Sequence, residues 1–351
     1  MRLRHISAFV VLTACFLLPG CADGVGLESA NAGDTVSKVE GSGDVPAIAF
    51  ESKTRTGFPQ SLQTVFLPNA IRIFDTVLSG GVPADDAAFQ ELQQLGVKTL
   101  ISVDGAQPNV QLARKHGLRY IHLPHSYDGI SEDRARELAK AVLEFDGPIY
   151  IHCHHGKHRS PAAAVVACIS AGLMEPSLAQ EILKQAGTDP RYRGLYQSAE
   201  LARRIPPAVL EAVVCGFPES ATLPEMAEAM VHLEQTHERL KRLAATRWQS
   251  ADCESEPDPI HEALLLKEHF RELLRTESTA NEPKEFRDLL QDSEAAAEEL
   301  QVALQNWTET GSSRLVPESV STSFDRVTRN CAVCHERFRD VPMYEKQEKA
   351  Q

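Results

Sequence analysis

Positive charge, long apolar runs and paired metal ligands are all in short supply in this chain. Its 351 residues carry 36 Lys and Arg against 49 Asp and Glu, a formal net charge of −13. An acidic excess of that size repels a phosphate backbone and excludes a general nucleic-acid binder. Past residue 18 no run is long and apolar enough to span a bilayer. Eight cysteines are present, but Cys331 and Cys334 have no second closely spaced pair to complete a structural zinc site.

What is there begins with a targeting segment. Arg2 and Arg4 make residues 1–21 basic at the start, and 6–18 is apolar but too short for a comfortable membrane span. Leu18-Pro19-Gly20-Cys21 resembles a bacterial lipoprotein processing site. That resemblance implies an exported, periplasmic or cell-envelope protein held to the membrane by a lipid on Cys21. Plain secretion stays open, because Pro19 is unusual there. Residues 22–56, rich in Gly, Ser, Asp and Ala without steady periodicity, read as a flexible tether.

The length beyond the tether suits two domains. The charge divides them. Over 57–205, 15 basic residues balance 15 acidic ones; over 222–340, 14 basic residues face 24 acidic ones. The first part therefore does not repel an anionic ligand as a whole.

In that first part, 57–216, short apolar runs alternate with helical patterns. Val65-Phe66-Leu67, 71–73, 97–103, 119–123 and 148–152 read as strands, and 78–83 as a turn-rich link. Helices are expected over 87–95 and 109–116, ended by Gly96 and Gly117, and over 131–145 and 161–171. The alternation predicts an α/β domain with a mostly parallel sheet flanked by helices. Its most specific stretch is His152-Cys153-His154-His155-Gly156-Lys157-His158-Arg159-Ser160, at a strand's carboxyl end and before a helix opening on Pro161. A loop entering a helix N-terminus offers backbone N–H groups and a positive dipole end to an anion. For a phosphoryl group each residue has a use. Cys153 supplies a nucleophile, Gly156 a sharp turn, Arg159 a bidentate clamp, and Ser160 a hydrogen bond to the sulfur. A buried structural cysteine with a solvated arginine is the plainer reading.

Cys-x-x-Gly-x-x-Arg-Ser after His resembles the signature loop of the tyrosine and dual-specificity phosphatases. The Ser79-Gly-Gly-Val-Pro and Leu95-Gly-Val-Lys-Thr-Leu-Ile-Ser stretches are similar to that family too. The resemblance implies hydrolysis of phosphate monoesters, on a phosphorylated protein or small molecule, through a phosphocysteine and without a metal. It also implies an acid from an upstream loop, and Asp128, beside Gly129, is the candidate. Asp128 as the cap of the next helix stays open, with His125 and Asp104 as weaker acids. His154, His155, Lys157 and His158 make the phosphate loop cationic on paper. Two readings follow: a polyphosphorylated substrate such as an inositol phosphate, or side chains that tune Cys153. Cys168 reads as core.

After 216–223 the alternation stops. Four amphipathic patterns, 224–245, 260–276, 282–307 and 317–338, predict an all-α four-helix bundle over 222–345. The last ends in Cys331-Ala-Val-Cys334-His335, the attachment pattern for c-type haem: two thiols for the vinyls and an axial His for the iron. A disulfide redox pair is the main alternative. With Cys-His-Glu-Arg-Phe-Arg on the fourth helix, the region resembles cytochrome c′. That implies one covalent haem, a redox partner or gas ligand, and a distal side from the first helix, where Met226, Met230 or Leu233 lies. The two methionines read equally well as bundle core. Cys215 and Cys253 remain as a candidate disulfide.

Overall fold

The computed structural model describes residues 58–249, 257–310 and 315–349. The expected signal, the tether, Cys21 and Cys253 lie outside them. The described residues belong to one compact unit, Arg55–Gln351.

Among them, β1 (Gln60–Ser61), β2 (Ile71–Phe74), β3 (Val77–Gly81), β4 (Thr99–Ser102), β5 (Arg119–His122) and β6 (Ile149–Cys153) form one sheet. Its order is β1-β2-β3-β6-β4-β5. The β3-β6-β4-β5 part is parallel, and β1 and β2 add antiparallel strands at one edge. The sheet is thus mixed, with a parallel heart. β6 lies between β3 and β4, pairing Cys153 with Gly81 and His152 with Ser102. Carboxyl ends of all three strands meet there, the usual ligand crevice of open α/β sheets.

The helices of this module are α1 (Asp86–Gln94), α2 (Val110–Lys115), α3 (Glu132–Glu144), α4 (Arg159–Ser170), α5 (Ala179–Gln185), α6 (Arg193–Leu201) and α7 (Pro207–Glu211). Asp85, Asn109 and Ser131 cap α1, α2 and α3 by accepting from the N–H three residues on. Ser131, not Asp128, is therefore the α3 cap, which removes the capping role considered for Asp128. α4 starts at Arg159, two residues before the expected Pro161, and is buried from Ser160 to Ser170. Two strand expectations are corrected. The Val65 and Phe66 N–H groups donate to the Glu91 carboxylate, each at 2.8 Å, so that segment does not join the sheet. Part of the expected link at 78–83 is strand β3, paired on both sides.

The second module has its own core. Its long helices are α8 (Glu225–Ala245), α9 (Pro259–Leu274), α11 (Lys284–Glu309) and α12 (Glu318–Cys334), with a short α10 (Glu277–Ala280) between the second and third. Leu240, Leu266, Phe270, Leu300, Leu304 and Val327 come from all four and pack into one cluster. That is the four-helix arrangement the apolar spacing predicts. After α12 comes a π-turn, His335–Arg339, then α13 (Met343–Lys349). The joining stretch is pinned to β5: the His122 N–H donates to Pro218 O at 2.7 Å, and the Ala221 N–H to His122 Nδ1 at 3.0 Å.

Candidate functional site

Cys153 is the last residue of β6 and is 2 % exposed. Its Sγ lies 3.3 Å from Ser160 Oγ, which donates to Gly80 O at 3.1 Å. Ser160 thus faces the sulfur from the first turn of α4. Gly156 has φ +76°, and a Cβ there would sit 2.2 Å from the Gly81 nitrogen. Only glycine permits that turn against β3. The rest of the loop is tied to its surroundings through its own carbonyls. Asn69 Nδ2 donates to His155 O at 2.8 Å, the Val82 N–H to His154 O at 3.2 Å, and Thr188 Oγ1 to Lys157 O at 2.7 Å. The loop is preorganised before any ligand arrives.

Arg159 is nearly buried and pairs with Asp104, Nη2 to Oδ1 at 3.3 Å. Burial works against its charge, but Asp104, Tyr127 and Cys153 outweigh it and raise its pKa. Its buried Nε has no partner. A partnerless N–H on a permanently charged guanidinium is a donor in reserve for an anion. Burial also opposes the charge of Asp104, yet Arg159 and the Ala106 N–H hold its carboxyl below the ordinary range. Asp104 is therefore the counter-charge of Arg159.

The loop over 124–130 crosses this site. The Tyr127 ring lies 4.6 Å from the Arg159 guanidinium, and Asp128 follows it. The Asp128 carboxylate is 17 % exposed and accepts from Lys346 Nζ at 2.9 Å. His125 is half-buried, with its Nε2 enclosed, and desolvation pushes its pKa down to about 4. Its Nδ1 donates to Ser126 O, so the remaining Nε2 holds a lone pair, not a proton. A neutral ring with that tautomer is not a proton donor to the site. Asp128, the acid expected from the sequence, follows the ring that covers Arg159.

The histidines alter the charge expected of the loop. His158, hemmed in by burial, titrates at about 4, and its Nδ1 accepts from the Asp189 N–H. Burial, then neighbouring His154, pulls His155 down as well. Lys157 and Arg159 carry the loop's fixed positive charge. Sequence reading does not anticipate this, because burial is a tertiary property. Cys168, in the middle of α4, is a core thiol pushed up to about 12 by burial.

A second site lies inside the bundle. Cys331, Cys334 and His335 line one cavity with Met230, Leu233, Leu266, Phe270 and Leu290. Both thiols are unpaired, and burial raises them to about 11 and 12. Burial depresses His335 to about 3, which leaves a neutral imidazole with a lone pair to give a metal. Two free thiols and an imidazole on the wall of one mostly apolar cavity are the donor types that the haem-attachment pattern calls for. Met230 lines the cavity. Met226 instead packs, partly buried, against the bundle core. His237 of α8 also lines the cavity, with its Nε2 at 2.9 Å from Thr328 Oγ1. Its signal in the sequence is a histidine inside the apolar stripe Met226, Met230, Leu233, Leu240. Cys215 is partly buried against the α/β core with its thiol unpaired; its candidate partner, Cys253, is outside the described residues.

No family model matches the chain. A stretch of 69 residues, 18 % of the chain, is 36 % identical to the inositol diphosphatase DSP1 of Oryza sativa subsp. japonica. The match spans 30 % of that protein, under a third of its length. Among solved structures, TpbA of P. aeruginosa is 21 % identical, with 42 % of this chain and 91 % of that one covered and a TM-score of 0.36. The core catalytic domain of the S. cerevisiae PP-IP phosphatase SIW14 is 16 % identical, with 40 % and 88 % covered and a TM-score of 0.34. Human DUSP28 is 19 % identical over 40 % of this chain and 96 % of its own, at 0.30.

Proposed function

We propose that the α/β module is a cysteine-dependent phosphatase that hydrolyses phosphate monoesters. The observation that carries this is the loop: Cys153 at the end of β6, Gly156 in a turn no other residue fits, and Arg159 and Ser160 opening α4. Cys153 Sγ, as thiolate, attacks phosphorus; the bond from phosphorus to the ester oxygen breaks, and that oxygen takes a proton from Asp128. Arg159 and the loop N–H groups hold the non-bridging oxygens through the transition state. Asp128, now a carboxylate, takes a proton from water as the water attacks phosphorus. The sulfur–phosphorus bond breaks, and the Ser160 hydroxyl turns from Gly80 O to donate to the departing sulfur. None of these steps uses a metal.

The bundle is proposed to carry one covalent haem. Cys331 and Cys334 would hold it by thioether bonds and His335 would be the axial ligand, with Met230, Leu233 and His237 on the cavity wall. When bound, the haem supplies electron transfer or binding of a small gas, with an outside redox partner in the first case. The remaining residues exclude water and keep His335 neutral. Export and a lipid anchor at Cys21 follow from the N-terminal sequence pattern and belong to the same proposal.

The substrate is a phosphorylated protein or a polyphosphorylated small molecule. The likeness to a rice inositol diphosphatase supports the second, while the downward shifts of His155 and His158 leave the loop less cationic than its sequence suggests. The test is turnover of purified protein on phosphotyrosine, phosphoserine and inositol-phosphate substrates beside Cys153→Ser. Turnover lost in the variant supports the enzyme, and at least about a tenfold preference for the inositol phosphate supports a polyphosphate substrate. Absence of turnover on every member leaves a phosphate-binding module joined to a cytochrome.

A further inference from the structure

The acid loop of the α/β module is held by the far end of the second module. Directly after Cys334 and His335, the π-turn carries Arg339 to 4.2 Å from the Tyr127 ring centroid. Tyr127 is thus engaged by two guanidiniums, that of Arg159 in the phosphate loop and that of Arg339 in the bundle. Four residues on, the Met343 N–H donates to Asp128 O at 3.0 Å. Lys346 Nζ then bridges the loop and the turn, donating to Asp128 Oδ2 at 2.9 Å and to Arg339 O at 3.3 Å. Beside them Arg193 of α6 pairs with Glu345, Nη1 to Oε1 at 2.6 Å.

The loop's other side is equally fixed. The Ile130 N–H donates to Ser198 Oγ at 2.8 Å. A Cβ on Gly194 would lie 2.0 Å from Asp128 O, so α6 packs directly on the backbone of the acid. The acid loop is therefore clamped between α6 and residues 339–346.

We propose that Lys346 and Arg339 are positioning residues of the phosphatase reaction, supplied by the second module. Lys346 offers only donors, so the oxygen it holds is not the one that carries the transferable proton. It leaves Asp128 Oδ1 for that task and fixes the direction in which the carboxyl points. Arg339 holds the Tyr127 ring over Arg159 from outside the α/β fold. The two modules then form one working unit: the turn that follows the haem-attachment motif also holds the acid of the other site. This rests on the phosphatase reading above.

The test uses the full-length protein with Lys346→Met and Lys346→Arg, and two readouts. The first is kcat on phenyl phosphate, whose leaving group needs a proton, and on 4-nitrophenyl phosphate, whose leaving group needs it far less. The expected result is a loss of about tenfold on phenyl phosphate in Lys346→Met, a loss within about twofold on the nitrophenyl ester, and recovery in Lys346→Arg. The second readout is hydrogen exchange at the Met343 amide, expected to speed up at least about fivefold in Lys346→Met. Equal losses on both esters, a gain in turnover, or unchanged exchange overturns the positioning role in an active enzyme. A wild-type protein inert toward every ester, with the exchange response intact, overturns the phosphatase reading and this role with it.

Discussion

Cys153 and Cys334 are almost equally hidden, at 2 % and 6 % exposure, yet their surroundings differ in kind. Cys153 meets a hydroxyl at 3.3 Å and lies beside a guanidinium that is itself paired with a buried carboxylate. The Arg159 Nε, like His125 Nε2 and His152 Nδ1, has no partner among the described residues. Cys334 shares its cavity wall with leucine, methionine and phenylalanine, and burial, then Cys331 and Glu282, raises its thiol. A site for a charged group must be built from counter-charges and fixed dipoles, since burying them unpaired costs several kcal/mol. A site for a large apolar group is a space between helices with attachment points at its rim. The lesson is that two buried cysteines on one chain are told apart by what surrounds them.

The largest effect expected separates the two sites completely. Cys153→Ser should lower phosphatase turnover by about a thousandfold or more and leave covalent haem unchanged. Replacing Cys331 and Cys334 by serine should abolish covalent haem, read as haem staining of the denatured chain, with Cys153 still present. Covalent haem surviving loss of both thiols would break the comparison at its base. Next in size is Arg159→Lys, which removes the bidentate fork and should cost about 10²–10³ in turnover. Asp104→Asn tests the counter-charge. It should lower stability by about 3 kcal/mol, measured by urea denaturation, because it leaves a buried cation unpaired.

The smallest effect concerns pH. His125 and His152 are both pushed down to about 4, first of all by burial. Their folded pKa values lie below the ordinary value of 6.5, so the unfolded chain binds more protons between the two. The stability they contribute is present above about pH 6.5 and is lost as pH falls toward about 4. Hydrogen exchange at pH 7, 5 and 4 should show β4 and β6 losing protection as the pH drops. Protection that is independent of pH would mean that these rings titrate normally and that the site is wetter than its geometry implies.

Much of the first site is legible from contiguous residues. Cys153, Gly156, Arg159 and Ser160 lie within one loop, and a loop's function can be read where its members are neighbours in sequence. Gly96 and Gly117 end their helices as expected, at φ +78° and +65°. Asp104 is different. Its role as the counter-ion of Arg159 depends on β4 lying beside β6, and no spacing announces that a carboxylate there will be held ionised. The downward shift of His158 is likewise set first by burial, so a cationic reading of the loop overstates its charge. In the bundle, the four apolar stripes give the helices, but they do not say which stripe residues face the cavity. Met230 does and Met226 does not, and His237 joins the wall from a position the pattern treats as core.

By itself, the chain's order of residues determined strands β2, β4, β5 and β6, most helices and both cysteine motifs, because these follow from local periodicity, caps and tight turns. Only the tertiary structure decided which groups keep their charge, since that depends on what water is excluded and which counter-charge stands nearby. It also decided that Lys346 reaches Asp128. A hydrogen bond between residues so far apart in sequence exists only when two separately packed cores are brought together.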